Sequence, residues 1–325
     1  MEELKRAIEQ FKDKKILVIG DIILDRFVWG DVEKINPEQP AAPLVKIKKE
    51  NYTLGGAANV ANNVVSLGAS CCLYGIVEND FYGRIIQKLC RKSRIRLRKF
   101  SNQNHTIVKQ RVMAHGQQIV RMDFGEVRLN KINERIQNKI IEDLKKEIEN
   151  YNFIILSDYD KFLFDERISK RIIALAKEKN IPTLVDPKPA HLDFFKNCTL
   201  ISPNKIEAEI MTGIKYSNGK DRLKEMGKIL AERINSKYVI ITCGEDGMFG
   251  YDREKNDYIF VETKAREVAD VTGAGDTFAA AITLGLASGL NLPNAAKLAN
   301  YAAGIVVGKV GTATISIEEI KRFLG

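Results

Sequence analysis

Asp270-Val271-Thr272-Gly273-Ala274-Gly275-Asp276-Thr277 sets glycines, hydroxyls and two carboxylates directly before an Ala-rich, apolar-periodic run from Phe278 to Gly289. Two glycines let a backbone turn tightly and come close to a ligand. The helix that follows presents unpaired N–H groups and a positive dipole end, which together make an anion site. Asp276 puts a negative charge at the mouth of that site, where it would repel a stored phosphate. The pairing makes sense if Asp276 takes a proton from a hydroxyl while the amides hold a phosphoryl group in transfer. The other reading is a glycine turn capping a structural helix, with Asp276 as a first-turn acid favoured by the dipole. The motif alone leaves both open.

Elements able to position such a group are legible along the chain. Its 325 residues are 45% hydrophobic, ample for a large core. Lys15 to Asp21 reads as a buried parallel strand, and Gly55 to Asn59 opens a helix that Gly68 stops. A strand at Ala69 to Ile76 and a helix at Asp80 to Lys92 follow. Beyond Lys131, helices at Ile132–Ile148, Glu166–Lys179 and Asp221–Ile234 alternate with strands at Phe153–Ser157, Thr183–Asp186, Thr199–Ser202 and Tyr238–Thr242. That alternation predicts an α/β fold with a mostly parallel central sheet and helices on both faces. Two stretches with strand alternation, about 26–53 and 105–123, predict a small β-sheet lid on one main domain, residues 1–325. Polar residues recur where strands end: Asp21 and Asp25, Ser157 and Asp158, Asp186 and Lys188, Asn204 and Glu207, Thr242 and Glu245, then Asp270 to Asp276. In a parallel sheet these ends line the ligand crevice.

Composition narrows the chemistry. Cys71, Cys72, Cys90, Cys198 and Cys243 show no metal-binding spacing and are expected to be buried thiols. Three histidines make a zinc centre unattractive, so a metal here would be Mg²⁺ on carboxylates and phosphate oxygens. No apolar run approaches about 20 residues, and the charged N-terminus lacks a signal-like core; a cytoplasmic protein without membrane contact is expected. Net charge is 51 − 42 = +9, with the densest basic run at Arg91 to Lys99. Its Arg/apolar alternation fits a half-buried strand with a solvated basic face, not a nucleic-acid platform.

Gly55 to Ala69 (GGAANVANNVVSLGA) and Asp270 to Phe278 (DVTGAGDTF) resemble the two signatures of the PfkB/ribokinase family of sugar kinases. GDIILDRFVWGDVEKINPEQPAAP, TIVKQRV, QQIVRMDF, LSDYDKF, VDPK and AAGIVVGKVGT resemble, more narrowly, the family's bacterial heptose-7-phosphate kinases. The resemblance implies a ribokinase-like fold and transfer of a phosphoryl group from ATP to the anomeric hydroxyl of D-glycero-D-manno-heptose 7-phosphate. In many bacteria such a kinase is fused to a nucleotidyltransferase; with the chain stopping at Gly325, that second activity is expected to be absent.

By the same resemblance Asp276 is the base, and the amides of Gly273, Ala274 and Gly275 steady the transferring group. Asn204-Lys205-Ile206-Glu207 lies near the triphosphate and Mg²⁺, with Glu207 acting through water; a capping box gives those residues a second reading. Thr242, Gly244 and Glu245 form the nucleotide-side loop, and Asn300 flanks the adenine. Asp270 and Thr272, with backbone near Gly308 and Gly311, correspond to a monovalent-cation (K⁺) site. On the sugar side Asp21, Asp25, Gly55, Gly56 and Asn59 suit hydroxyl recognition, Asp25 having a turn with Arg26 as its alternative. Lys109, Arg111, Arg121 and Lys188 are candidates to clamp a distal phosphate, or else make an exposed basic face. The lid would exclude water and pair two copies into a homodimer. Competing functions are a related kinase for another sugar or sugar phosphate, a nucleotide- or sugar-binding sensor without turnover, and a nucleic-acid-binding protein suggested only by charge.

Overall fold

The computed structural model describes residues 2–35, 38–39, 42–125, 132–216, 219–263, 270–309 and 311–324. Residues 36, 37, 40, 41 and 310, which belong to two of the quoted motifs, lie outside the described residues. Nine strands form the main sheet: β1 (Lys15–Gly20), β4 (Ser70–Ile76), β5 (Arg96–Phe100), β8 (Phe153–Ser157), β9 (Thr183–Asp186), β10 (Leu200–Ile201), β11 (Tyr238–Thr242), β12 (Met248–Asp252) and β13 (Asp257–Val261). Their order is β13-β12-β11-β10-β9-β8-β1-β4-β5, parallel except for the antiparallel β11-β12-β13 edge.

Successive residues of each central strand enter opposite cores, as the two-residue period of a strand requires. Ile16, Val18, Ile155 and Leu184 join the core under α2 (Ala57–Ser66), α8 (Ala274–Ala287) and α9 (Leu292–Val306). Leu17, Ile19, Ile154 and Val185 join the core under α4 (Glu134–Glu147), α5 (Glu166–Glu178) and α7 (Lys220–Ile234). Burial on both sides explains why these strands read as unbroken apolar runs. All five cysteines are buried free thiols. The basic run divides between the end of α3 (Phe81–Lys92) and edge strand β5, where Arg96 bonds Glu147 at 2.6 Å. A charged outer strand also discourages edge-to-edge pairing.

The lid is a second sheet of order β3-β2-β6-β7, from β2 (Ile22–Ile35), β3 (Pro43–Gly56), β6 (Val108–Ala114) and β7 (Gln117–Phe124). It begins earlier and ends later than the alternation suggested. β2 starts at Ile22 and β3 runs through Gly56, so Asp25, Gly55 and Gly56 stand on lid strands and not on the main sheet. The strand-like start at Ile22–Leu24 was hidden because those residues are apolar without alternation and are buried. Among the described residues no helix is long and apolar enough to cross a membrane.

Candidate functional site

Helix α8 begins just after Gly273, whose φ of 82° is left-handed and whose missing Cβ would lie 2.9 Å from Asn59 Nδ2. Glycine is needed there on both counts. Asp276 is the third residue of α8 and only 6% exposed. Asn59 Nδ2, from the first turn of α2, donates to its Oδ2 at 2.7 Å, and Tyr159 Oη donates to its Oδ1 at 2.6 Å. Behind this pair, Thr277 Oγ1 donates to Asn63 Oδ1 at 2.9 Å and locks α8 to α2. Burial raises the Asp276 pKa to about 6, against the two hydrogen bonds and Lys109; Asp25 adds to the rise. A carboxylate in that range is ionised at neutral pH and basic enough to accept a proton.

The anion cradle is narrower than the motif implied. The Ala274 N–H donates to Val271 O at 3.2 Å, so it is already engaged. The N–H groups of Gly273 and Gly275 have no acceptor among the described residues, and the space where a Cβ of Gly275 would stand is open. These two amides are the donors available to an incoming phosphoryl group.

On the lid, strand register arranges the sugar-side groups in rows. Asp25, Lys109 and Asp123 face one another across β2, β6 and β7; Phe27, Arg111 and Arg121 form the next row. Asp25 pairs with Arg111, Nη1 to Oδ1 at 2.5 Å, both being largely buried, and not with Arg26. Strand alternation decides this, since Arg26 points to the opposite face and bonds Glu50 and Gln110. The Arg111 guanidinium lies 5.3 Å from the Phe27 ring centroid. Gly55 sits against Asp25, where a Cβ would come within 2.3 Å of Oδ2. Gly56 caps α2 with a φ of 56°.

Arg121 is engaged by Asp123, its Nε donating to Oδ1 at 2.8 Å. Lys109 is half-buried, 5.3 Å from the Tyr159 ring centroid, and its pKa is lowered first by burial and then by Arg121. An ammonium group so placed gains when a dianion arrives.

Asp21 has a different task from hydroxyl recognition. Its Oδ2 accepts from the amides of Tyr159 at 2.9 Å and Lys161 at 3.0 Å, and its Oδ1 from Leu163 at 3.2 Å. The buried carboxylate thereby anchors the turn that carries Tyr159. Burial and Asp158 nevertheless raise its pKa to about 6. Replacing Asp21 with Ala strands three amides; a loss of about 3 kcal/mol is expected in urea unfolding, where a buried unsatisfied donor costs roughly 1–3 kcal/mol. Asp21→Asn, which keeps one acceptor oxygen, should lose less.

Beyond Tyr159 and Lys188, Asn204 and Glu207 form a capping box on α6 (Lys205–Thr212). Asn204 N donates to Glu207 Oε2 at 3.0 Å and Lys188 Nζ to Oε1 at 2.6 Å, so Lys188 is paired with Glu207 in this structure. Lys188 Nζ also stands 5.7 Å from the Tyr159 ring centroid. Lys205 reaches Asp246 at 3.3 Å, and Ile206 is exposed. Thr242 ends β11 and bridges to Asn204, followed by Gly244 with φ 63° and the exposed Glu245. Asn300 is buried, its Nδ2 donating to Glu262 O at 2.7 Å, which ties α9 to the segment after β13. Asp270 joins two loops: its Oδ1 accepts from the Thr272 amide and its Oδ2 from Gly311, each at 2.9 Å.

Sequence reasoning missed Tyr159, because a tyrosine carries no motif meaning until the fold brings it to Asp276. It also assigned no role to Asp186, whose pKa burial and Glu207 raise to about 8, or to His191, held between Asp158 at 2.9 Å and Asp160 at 3.3 Å. The recurrence of polar residues at strand ends was the available signal for Asp158 and Asp186.

Sequence and structure comparisons agree with this geometry. The family described as pfkB family carbohydrate kinase matches residues 13–320. Bifunctional protein HldE of Syntrophotalea carbinolica is 35% identical over 319 residues, covering 98% of this chain and 64% of that protein. The protein of the same name from Helicobacter acinonychis is 39% identical over 313 residues, covering 96% and 66%. The chain thus spans roughly two thirds or less of these curated relatives. Phosphofructokinase-2 of Escherichia coli, solved in complex with potassium, superposes with a TM-score of 0.79 at 19% identity, covering 95% of this chain and 97% of that one. Arabidopsis thaliana ribokinase, complexed with ribose and ATP, gives 0.73 at 18% identity, covering 96% and 98%. The superpositions show a ribokinase-like fold. The family match over residues 13–320 shows that the chain belongs to the pfkB family of carbohydrate kinases, phosphotransferases that act on an alcohol group.

Proposed function

We propose that the chain phosphorylates the anomeric hydroxyl of D-glycero-D-manno-heptose 7-phosphate with ATP, giving the 1,7-bisphosphate for ADP-heptose synthesis in the cytoplasm, where ATP is available. The observation that carries this reading is Asp276: a buried carboxylate at a helix N-terminus, between a sugar-side acid and two unengaged amides. The sugar hydroxyl gives its proton to Asp276 as its oxygen bonds to the γ-phosphorus, and the bond from phosphorus to ADP breaks. Gly273 and Gly275 donate N–H bonds to the oxygens of the group in transit. Asp25, oriented by Arg111, accepts hydrogen bonds from the sugar's hydroxyls.

The donor set suits Mg²⁺ carried in with the nucleotide. No group of three metal-ligating side chains exists among the described residues, whereas Mg²⁺ bound to ATP needs only one or two carboxylates and keeps several waters. Glu207 would hold it through water, with Asp186 as the neighbouring acid. When bound it neutralises charge on the triphosphate. A K⁺ site near Asp270, Thr272, Gly308 and Gly311 is proposed on the same footing, with Asp270 joining Thr272 to Gly311.

Relatives named HldE and the lysine at the lid support a phosphorylated sugar. A second reading, a kinase for an unphosphorylated sugar, is favoured by the pairing of Arg111 and Arg121 with carboxylates. ADP release measured against a panel of sugars and sugar phosphates separates the two. Heptose 7-phosphate is expected to give the highest kcat/KM; preference for a neutral sugar would reject the substrate assignment.

We assign a homodimer through the lid. Val120, Met122 and Phe124 share one face of β7, all exposed, and Ile47 on β3 is 65% exposed. Apolar strips of this kind on a lid strand require covering. Light scattering should give twice the 36.6 kDa chain mass, and Val120→Glu combined with Ile47→Asp should return it to one. A wild-type monomer at micromolar concentration would reject this assembly.

A further inference from the structure

Both oxygens of Asp276 accept a hydrogen bond before any substrate arrives. One donor, Asn59, is part of the motif helix. The other, Tyr159, stands on a turn that is held from several sides. Asp160 and Phe162 hold left-handed φ angles of 55° and 79°, conformations that are unfavourable at non-glycine residues. Three amides of this turn converge on the buried Asp21, and His191 braces Asp158 and Asp160 from the other side. The phenol ring is flanked by the Lys109 ammonium at 5.3 Å and the Lys188 ammonium at 5.7 Å. Strain, anchor and flanking cations all fix one atom, Tyr159 Oη, 2.6 Å from Asp276 Oδ1.

We propose that Tyr159 is a positioning residue for Asp276: its phenol O–H donates to Oδ1, keeps the buried base ionised and aims its remaining lone pair at the substrate hydroxyl. The proposal rests on the phosphotransfer reading of this site and adds a residue to it.

Several groups act on the Asp276 carboxylate. Asp25 from β2 and Asp186 from the end of β9 share its sign, and burial also opposes ionisation. Lys109 from β6, Asn59 from α2 and the α8 dipole favour ionisation, together with Tyr159. A short O–H bond to a carboxylate is charge-assisted and stronger than the amide's N–H bond. The proton stays on the phenol, because burial and then Asp276 raise the Tyr159 pKa well above its ordinary value. Removing the hydroxyl while keeping the ring therefore makes Asp276 harder to ionise.

Tyr159→Phe tests this. The acid limb of kcat/KM should move up by about one pH unit from about 6, the order of shift expected when one hydrogen bond to a carboxylate is lost. The loss of rate at pH 6 should then exceed the loss on the plateau above pH 8 by about fivefold. A carboxyl-¹³C NMR titration of aspartate-labelled protein, with Asp276→Asn to identify the resonance, reads the same shift without turnover. A uniform loss at every pH with an unmoved limb would mean a merely structural tyrosine and overturn the proposal. A gain in rate with an unmoved limb would show that the phenol obstructs the hydroxyl, and would also overturn it. If no sugar is phosphorylated but the ¹³C midpoint still rises in Tyr159→Phe, the reaction assignment fails while the role of Tyr159 stands.

Discussion

Asp276→Asn should lower kcat by at least about 10³-fold, because general base catalysis contributes roughly 10²–10⁴-fold and positioning is lost with it. The amide is isosteric, and Asn59 and Tyr159 can still meet one of its two terminal atoms, so folding is expected to survive. What disappears is the proton acceptor. KM for the sugar should change little, since the proposed contacts to its hydroxyls run through Asp25 and the lid and not through position 276. Steady-state ADP release with the thermal midpoint measured in parallel separates this outcome from unfolding. A variant that retained a tenth of wild-type kcat would show that proton removal is not the task of Asp276.

Lys109→Met should reduce kcat/KM for a sugar phosphate by about 10²-fold and leave an unphosphorylated sugar nearly unaffected. A charged hydrogen bond to a phosphate contributes roughly 1.5–3 kcal/mol, which corresponds to that range. The free protein holds this ammonium half-buried; burial and then Arg121 oppose its charge, Asp25 and Asp123 favour it, and the net effect leaves its pKa lowered until an anion binds. Methionine keeps an unbranched side chain beside Tyr159 without the charge. Equal losses for both sugar classes would place Lys109 in the support of Tyr159 instead of in phosphate recognition.

Legibility in the sequence followed the range of the signal. The central strands were readable because burial on both faces makes them continuous apolar runs, and β8, β9 and β11 fall at the expected residues. The turn into α8 was readable because glycine and helix-start chemistry are local. Lid boundaries were not: Ile22–Leu24 and Leu54–Gly56 are buried on lid strands and look like core segments. Partner choice was also out of reach. Asp25 finds Arg111 at a separation of 86 residues, while Arg26 beside it points away. Tyr159 meets Asp276 across 117 residues, and Asn59 meets it across 217. No local pattern encodes such pairs; they follow from strand register and from how α2 and α8 pack. Asp21 shows the converse, a polar residue at a strand end that resembles a ligand group but serves backbone amides.

The most direct test is the pH dependence of kcat/KM for ATP-dependent phosphorylation of heptose 7-phosphate. Asp276 must be ionised to accept the proton, so the rate should rise tenfold per pH unit on the acid side and level off above about 6. A profile flat from pH 5 to 7, with turnover intact, would contradict a buried carboxylate as the base.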